Sequence, residues 1–192
     1  MGPVKFRVAP LILLTALAAC QRGHAPVERI SLDQARGGPE APISAPDTKG
    51  AAWTAGADGK RIDFALPGGK PLLTLACRTG GAVPMVRIER HVRSRPGESA
   101  LFPVLGSGPN ARFLLTAAQE GGEWLWRGDV PVTDAQLDVF RAGRLEATLP
   151  GGGSLIIAAS PIPGELVEHC REGVPMPSPS ATGEEPAEGE EG

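Results

Sequence analysis

The sequence predicts a mainly β domain, a small antiparallel sandwich or barrel with one or two short helices, one of them C-terminal. Three observations predict it. The 192-residue chain holds 26 Gly and 20 Pro but only 4% aromatics and no Tyr. Many turns and few large side chains argue against a helical bundle. Short runs of alternating apolar and polar residues recur at turn spacing through the middle of the chain, the pattern of a sandwich or barrel. One hairpin-like stretch also occurs twice.

That stretch is Arg61–Cys77, which aligns without gaps to Arg144–Ser160, with seven of seventeen positions identical. Each copy centres on Leu-Pro-Gly-Gly. Pro presets φ for the second residue of a turn and Gly accepts the positive φ that follows, so each copy reads as a β-hairpin. In the second copy Leu145, Ala147 and Leu149 point one way, and Arg144, Glu146 and Thr148 the other. Two copies suggest a pseudo-symmetric sheet built on two similar hairpins. Convergence of two hairpins on one good turn is the equal alternative.

Between the copies, Met85–Arg93 alternates as a strand, with Val86, Ile88 and Val92 on one face and Arg90 interrupting it. Strands follow at Ala100–Leu105, Ala111–Ala118 and Trp124–Val130, separated by Gly-rich turns. Thr133-Asp134-Ala135-Gln136 fits a capping box, with Leu137, Phe140 and Arg141 at helical spacing and Gly143 as the stop. A strand through Leu137–Phe140 is the rival reading. A second helix runs from about Ile162 to Arg171, with Ser160 placed to cap it and Pro161 and Pro163 in the first turn. Ile162, Leu166 and Cys170 share one of its faces.

The ends read differently. Residues 20–50 lack apolar periodicity and carry Pro26, Pro39, Pro42 and Pro46, a composition that reads as a tether. Residues 173–192 carry Glu184, Glu185, Glu188, Glu190 and Glu191 without Lys or Arg, and read as an acidic disordered tail. The domain between, residues 51–172, holds thirteen Lys and Arg against thirteen Asp and Glu, so the net charge of −3 comes from the termini. A neutral domain disfavours nucleic acid as a partner.

Residues 1–19 form a segment of another kind. Lys5 and Arg7 precede an apolar run of twelve residues, Val8–Ala19, too short for a bilayer span, which needs about 20. A basic n-region, an apolar h-region and small residues at the end describe a secretory signal. The closing Leu17-Ala18-Ala19-Cys20 resembles the lipobox of bacterial lipoproteins. The resemblance implies cleavage before Cys20, acyl chains (palmitate among them) on Cys20, and a membrane-anchored protein. Gln21, where Asp favours inner-membrane retention, implies the periplasmic face of the outer membrane. With Cys20 acylated, Cys77 and Cys170 remain to pair in an oxidising periplasm. Two separately buried thiols are the alternative. Two thiols and the scattered His24, His91 and His169 give no metal-site spacing, and no cofactor motif is present.

Candidate chemistry is sparse. Ser107 lacks a nucleophile elbow, and Gly151-Gly152-Gly153-Ser154 lacks the ending of a phosphate loop. Paired carboxylates do acid–base work only from facing positions in a cleft. Asp63 and Glu146 are equivalent in the two hairpins, which could bring them together, while the simpler reading places each on a solvated strand face. His169 stands next to Cys170, where it could tune a reactive thiol. The feature with most binding potential is one strand face carrying Arg87, Glu89, His91, Arg93 and Arg95. Arginine forks suit carboxylates and phosphates, so this ridge fits an anionic glycolipid, peptidoglycan or an acidic envelope protein, and the acidic tail could fold onto it. A solvated Arg-rich edge strand is the plain reading. Trp53, Trp124 and Trp126 serve as core, or as a carbohydrate-stacking platform if exposed. The sequence therefore points to a non-enzymatic binding or envelope-structural module, with a hydrolase of envelope polymers as the alternative.

Overall fold

The computed structural model describes residues 44–141 and 143–177. The signal segment, Cys20, residues 20–43 of the tether and the glutamates of the tail lie outside them. The described residues belong to a single unit, Ala41–Gly192. Nine antiparallel strands form one nearly closed, barrel-like sheet, and two short helices accompany it. The strands are β1 Ala52–Ala55, β2 Arg61–Ala65, β3 Leu73–Arg78, β4 Met85–Arg90, β5 Ser99–Gly106, β6 Ala111–Glu120, β7 Glu123–Pro131, β8 Leu145–Leu149 and β9 Gly153–Ile157. Their spatial order is β1-β2-β3-β4-β7-β6-β5-β8-β9.

Alternation sets the inner face. Ile62 and Phe64, Leu73 and Leu75, Val86 and Ile88, Phe102 and Val104, and Leu145 and Ala147 are all buried at two-residue spacing. Trp53 and Trp126 join this core, and Trp53 meets Phe64 across the β1–β2 register at 5.4 Å between ring centroids. Six aromatics, Trp53, Phe64, Phe102, Phe113, Trp126 and Phe140, therefore fill the interior.

Both expected helices form. A 3₁₀ helix over Ala135–Arg141 buries Leu137, Val139 and Phe140, and Phe140 stacks on Phe113 of β6. Its start differs from the expected capping box. Asp134, not Thr133, accepts from the Gln136 N–H at 2.9 Å. The Gln136 amide oxygen accepts from the Arg112 N–H of β6 at 3.0 Å, while its amide nitrogen donates to the Asp134 carboxylate at 3.4 Å. The C-terminal helix α1, Ile162–Glu172, buries Leu166, Val167 and Cys170 and ends at Gly173 in the left-handed region. Cys170 is bonded to Cys77 of β3, closing a span of 93 residues. Beyond α1, Met176 is buried and its N–H donates to Gly59 O at 2.9 Å. The packed domain therefore continues past the boundary at residue 172 that composition marks.

Two further expectations are corrected. The strand expected to reach Arg93 ends at Arg90. There the His91 N–H donates to Leu72 O and the Val92 N–H to Arg90 O, which turns the chain away. The two hairpins are real, but they do not build a symmetric sheet: β2–β3 lies one strand in from one edge, and β8–β9 forms the other edge.

Candidate functional site

On the outer face, the strand registers line up one polar residue from each of seven strands. Thr54, Asp63, Thr74, Glu89, Arg127, Thr116 and Ser99 are successive cross-strand partners from β1 to β5. Residues directly opposite in neighbouring strands have Cβ atoms about 5 Å apart, so such a row interacts along its length.

The bonds along the row are specific. The Arg61 Nε donates to both Asp63 carboxylate oxygens at 3.1 Å. Thr74 has no exposed surface, and its hydroxyl donates to Asp63. The hydroxyl has one proton, already given to the carboxylate, so the His91 Nε2 at 2.8 Å must be the donor to the Thr74 oxygen. Arg61 adds a weaker bond to the same oxygen at 3.3 Å. Further along, Glu89, with its side chain 4% exposed, accepts from Arg127 Nε at 2.6 Å, and Arg127 also binds Glu120. A buried carboxylate held by a guanidinium is the arrangement that desolvation demands.

These contacts revise the basic ridge. Arg87 is engaged with Asp129 through two bonds of 2.8 and 2.9 Å. That contact holds the Asp129 carboxyl below its ordinary range and raises the Arg87 guanidinium. Glu89 and His91 are likewise committed to Arg127 and Thr74. Arg93 and Arg95 lie beyond the end of β4, on an exposed loop. Strand alternation therefore does not gather the cations into one free surface. Burial pushes the His91 imidazole below its ordinary pKa, with Arg61 and Arg90 adding to the effect and Glu89 and Asp63 opposing it.

Arg90 faces inward and is 1% exposed. It donates to Leu72 O at 2.9 Å and to Gly152 O at 3.0 Å, and no carboxylate meets it among the described residues. Burial lowers its pKa to about 10. It ties the β2–β3 connection and the end of β4 to the β8–β9 turn, closing one end of the sheet.

At this same end lies a cleft of about 660 Å³, within the range of small-ligand sites. Its lining includes Lys70 from the β2–β3 turn, His91 and Arg93 after β4, and Glu120, Trp124 and Leu125 from the β6–β7 hairpin. Ser94 fixes the loop above β7: its N–H reaches Trp124 O at 3.3 Å and its hydroxyl Leu125 O at 2.8 Å. Trp124 is half-buried at the rim while Trp126 lies in the core, so the two do not form an exposed pair. The sequence missed this cleft because its walls come from three separate turns. Lys70 and Trp124 gave no signal of proximity.

The remaining candidates fall apart spatially. Asp63 is in the second strand of the sheet order and Glu146 in the eighth. Ser107 lies in the exposed β5–β6 connection, and the glycine run forms the β8–β9 turn, with no helix after it. Cys170 is in the disulfide, so His169 has no thiol to activate. Among the described residues no three His, Cys, Asp or Glu side chains cluster as a metal site. Comparison with family models, curated proteins and solved structures found no match.

Proposed function

We propose that this protein is a lipid-anchored binding module of a bacterial envelope, held by an acylated Cys20 and taking its ligand in the cleft beside His91. The observation that carries the reading is the convergence of Lys70, Arg93, His91 and Trp124 on one cleft of about 660 Å³. A guanidinium and an ammonium attract carboxylate or phosphate, and an indole offers a stacking face to a sugar ring. An anionic glycan or glycolipid of the envelope combines these properties. The hydrolase alternative needs a shielded acid–base pair. The two carboxylates of the cleft, Glu120 and Glu123, are solvated partners of Arg127 and Lys70. The Thr74 hydroxyl, though beside His91 and Asp63, has no surface for a substrate to reach.

Titration of tryptophan fluorescence with soluble peptidoglycan fragments and with lipopolysaccharide tests the reading. Saturable change with one of them, weakened roughly tenfold or more by Trp124→Ala and by Arg93→Ala, is expected. No response to either, or a response that both variants leave intact, rejects the cleft as the binding site.

A further inference from the structure

The outer face of the sheet changes character on β5. Leu101 is 55% exposed, Leu105 47% and Leu114 62%. Leu101 and Leu114 are direct register partners on β5 and β6, and Pro103 lies between Leu101 and Leu105. Most sheet-facing solvent positions in this domain carry polar or ion-paired side chains, so a contiguous leucine stripe is out of pattern. Two charges border it on opposite sides. Arg112 of β6 is the register partner of Pro103, and Glu146 of β8 is the register partner of Leu105. Neither side chain has an ion-pair partner among the described residues.

We infer that this face is an interface between two copies of the chain, packed around a two-fold axis running along β5. A two-fold contact requires a self-complementary patch. Rotation about β5 lays Leu101, Pro103 and Leu105 on their own counterparts. The same rotation carries β6 over the partner's β8, so Arg112 approaches Glu146 of the partner subunit twice over. The apolar centre and the opposed charges thus fit one operation. Other occupants fit less well. Residues 178–192 contain no Leu, Ile, Val, Phe, Met or Trp to cover the leucines. An anionic lipid surface gains no net attraction from a stripe bordered by one cation, Arg112, and one anion, Glu146, and the stripe has no aromatic residue of the kind that seats proteins at a membrane interface.

Sedimentation of the full chain in non-ionic detergent tests the inference. A concentration-dependent dimer is expected. Leu101→Lys combined with Leu114→Lys should give a monomer with unchanged far-UV circular dichroism. Arg112→Glu should weaken association roughly tenfold, and Glu146→Arg added to it should restore association. As a milder probe, Leu101→Cys sits on the axis and should cross-link to itself on oxidation, with the parent chain as the blank. A parent chain that is monomeric at every concentration overturns the inference, whether the leucines then meet residues 1–43 or lipid. A dimer that survives the leucine pair, or a Leu101→Cys variant that forms no cross-link, overturns this face as the interface.

Discussion

His91 shows how one residue's setting turns into a pH response. Its neutral imidazole donates to Thr74, and burial holds its pKa below the ordinary 6.5. Below about pH 6.5 the unfolded chain therefore takes up the proton more readily than the native one. The contribution is full above that pH and is lost as pH falls through the lowered folded value. Thermal melts from about pH 7.5 to about 5.5 should show a falling midpoint, and His91→Gln should flatten that slope. An equal slope in both proteins rejects this role for the imidazole. Arg90 is the second decisive residue. Arg90→Ala leaves Leu72 O and Gly152 O unmet and opens a cavity, so urea unfolding should report a loss of about 3 kcal/mol, after relief from burying an uncompensated charge. Residue-scale chemistry was only partly legible. Alternation placed Arg87, Glu89 and His91 correctly on the outer face, and Arg90 correctly on the inner one. It could not show that Asp129, Arg127 and Thr74 engage the first three, because those partners come from other strands.

Elements were more legible than contacts. The paired hairpins illustrate why, and where legibility stops. Leu66-Pro67-Gly68-Gly69 and Leu149-Pro150-Gly151-Gly152 make the same turn, with Gly69 N–H to Leu66 O at 2.9 Å and Gly152 N–H to Leu149 O at 2.8 Å. Gly68 and Gly151 both take positive φ, 68° and 73°. The copies then diverge. Lys70-Pro71 extends the first turn, while Gly153, at φ 69°, starts the second returning strand at once. The second register is one residue shorter, and a one-residue slip exchanges the faces of a strand. Leu73 and Leu75 are buried in one copy, but Leu155 and Ile157, not their aligned counterparts Ile156 and Ala158, are buried in the other. Local chemistry dictates the turn, and packing dictates the register after it. The short β1 escaped notice because four residues around Trp53 give no readable period. The disulfide joins the last element to the third strand across 93 residues. Closing a loop of that length contributes about 4–5 kcal/mol in the chain-entropy model. Cys170→Ala should therefore lower the melting midpoint by roughly 10 °C or more, and reductant should do the same to the parent chain. A midpoint unmoved by either treatment rejects the helix as a stapled element.

At the scale of the whole molecule, the strand order is what sequence reading could not reach. Consecutive strands pair from β1 to β4, but β4 then pairs with β7, and β5 turns outward to β8. This non-local exchange assembles the polar row and the cleft, and it brings Glu146 of β8 beside the leucines of the β5–β6 hairpin; no periodicity within a segment encodes it. The proposed anchor and the described core can be tested separately. Among the described residues the buried core runs from Ala51 to Met176, and the proposed anchor, Cys20, lies outside them. If the anchor is the thiol of Cys20, acylation adds roughly 0.8 kcal/mol per buried CH₂ and two or more chains hold the protein stably on a bilayer. Cys20→Ser removes that attachment without touching a core residue. Fractionation of bacterial cells should find the parent chain with the membranes, its intact mass raised by the acyl chains. The variant should lack those chains and leave the outer-membrane fraction, while its folded domain keeps the parent's melting midpoint and its Cys77–Cys170 bond. A parent chain of unmodified mass, or a variant that stays in the outer membrane, removes the lipid anchor and leaves protein surface, the exposed leucines first, to explain any attachment.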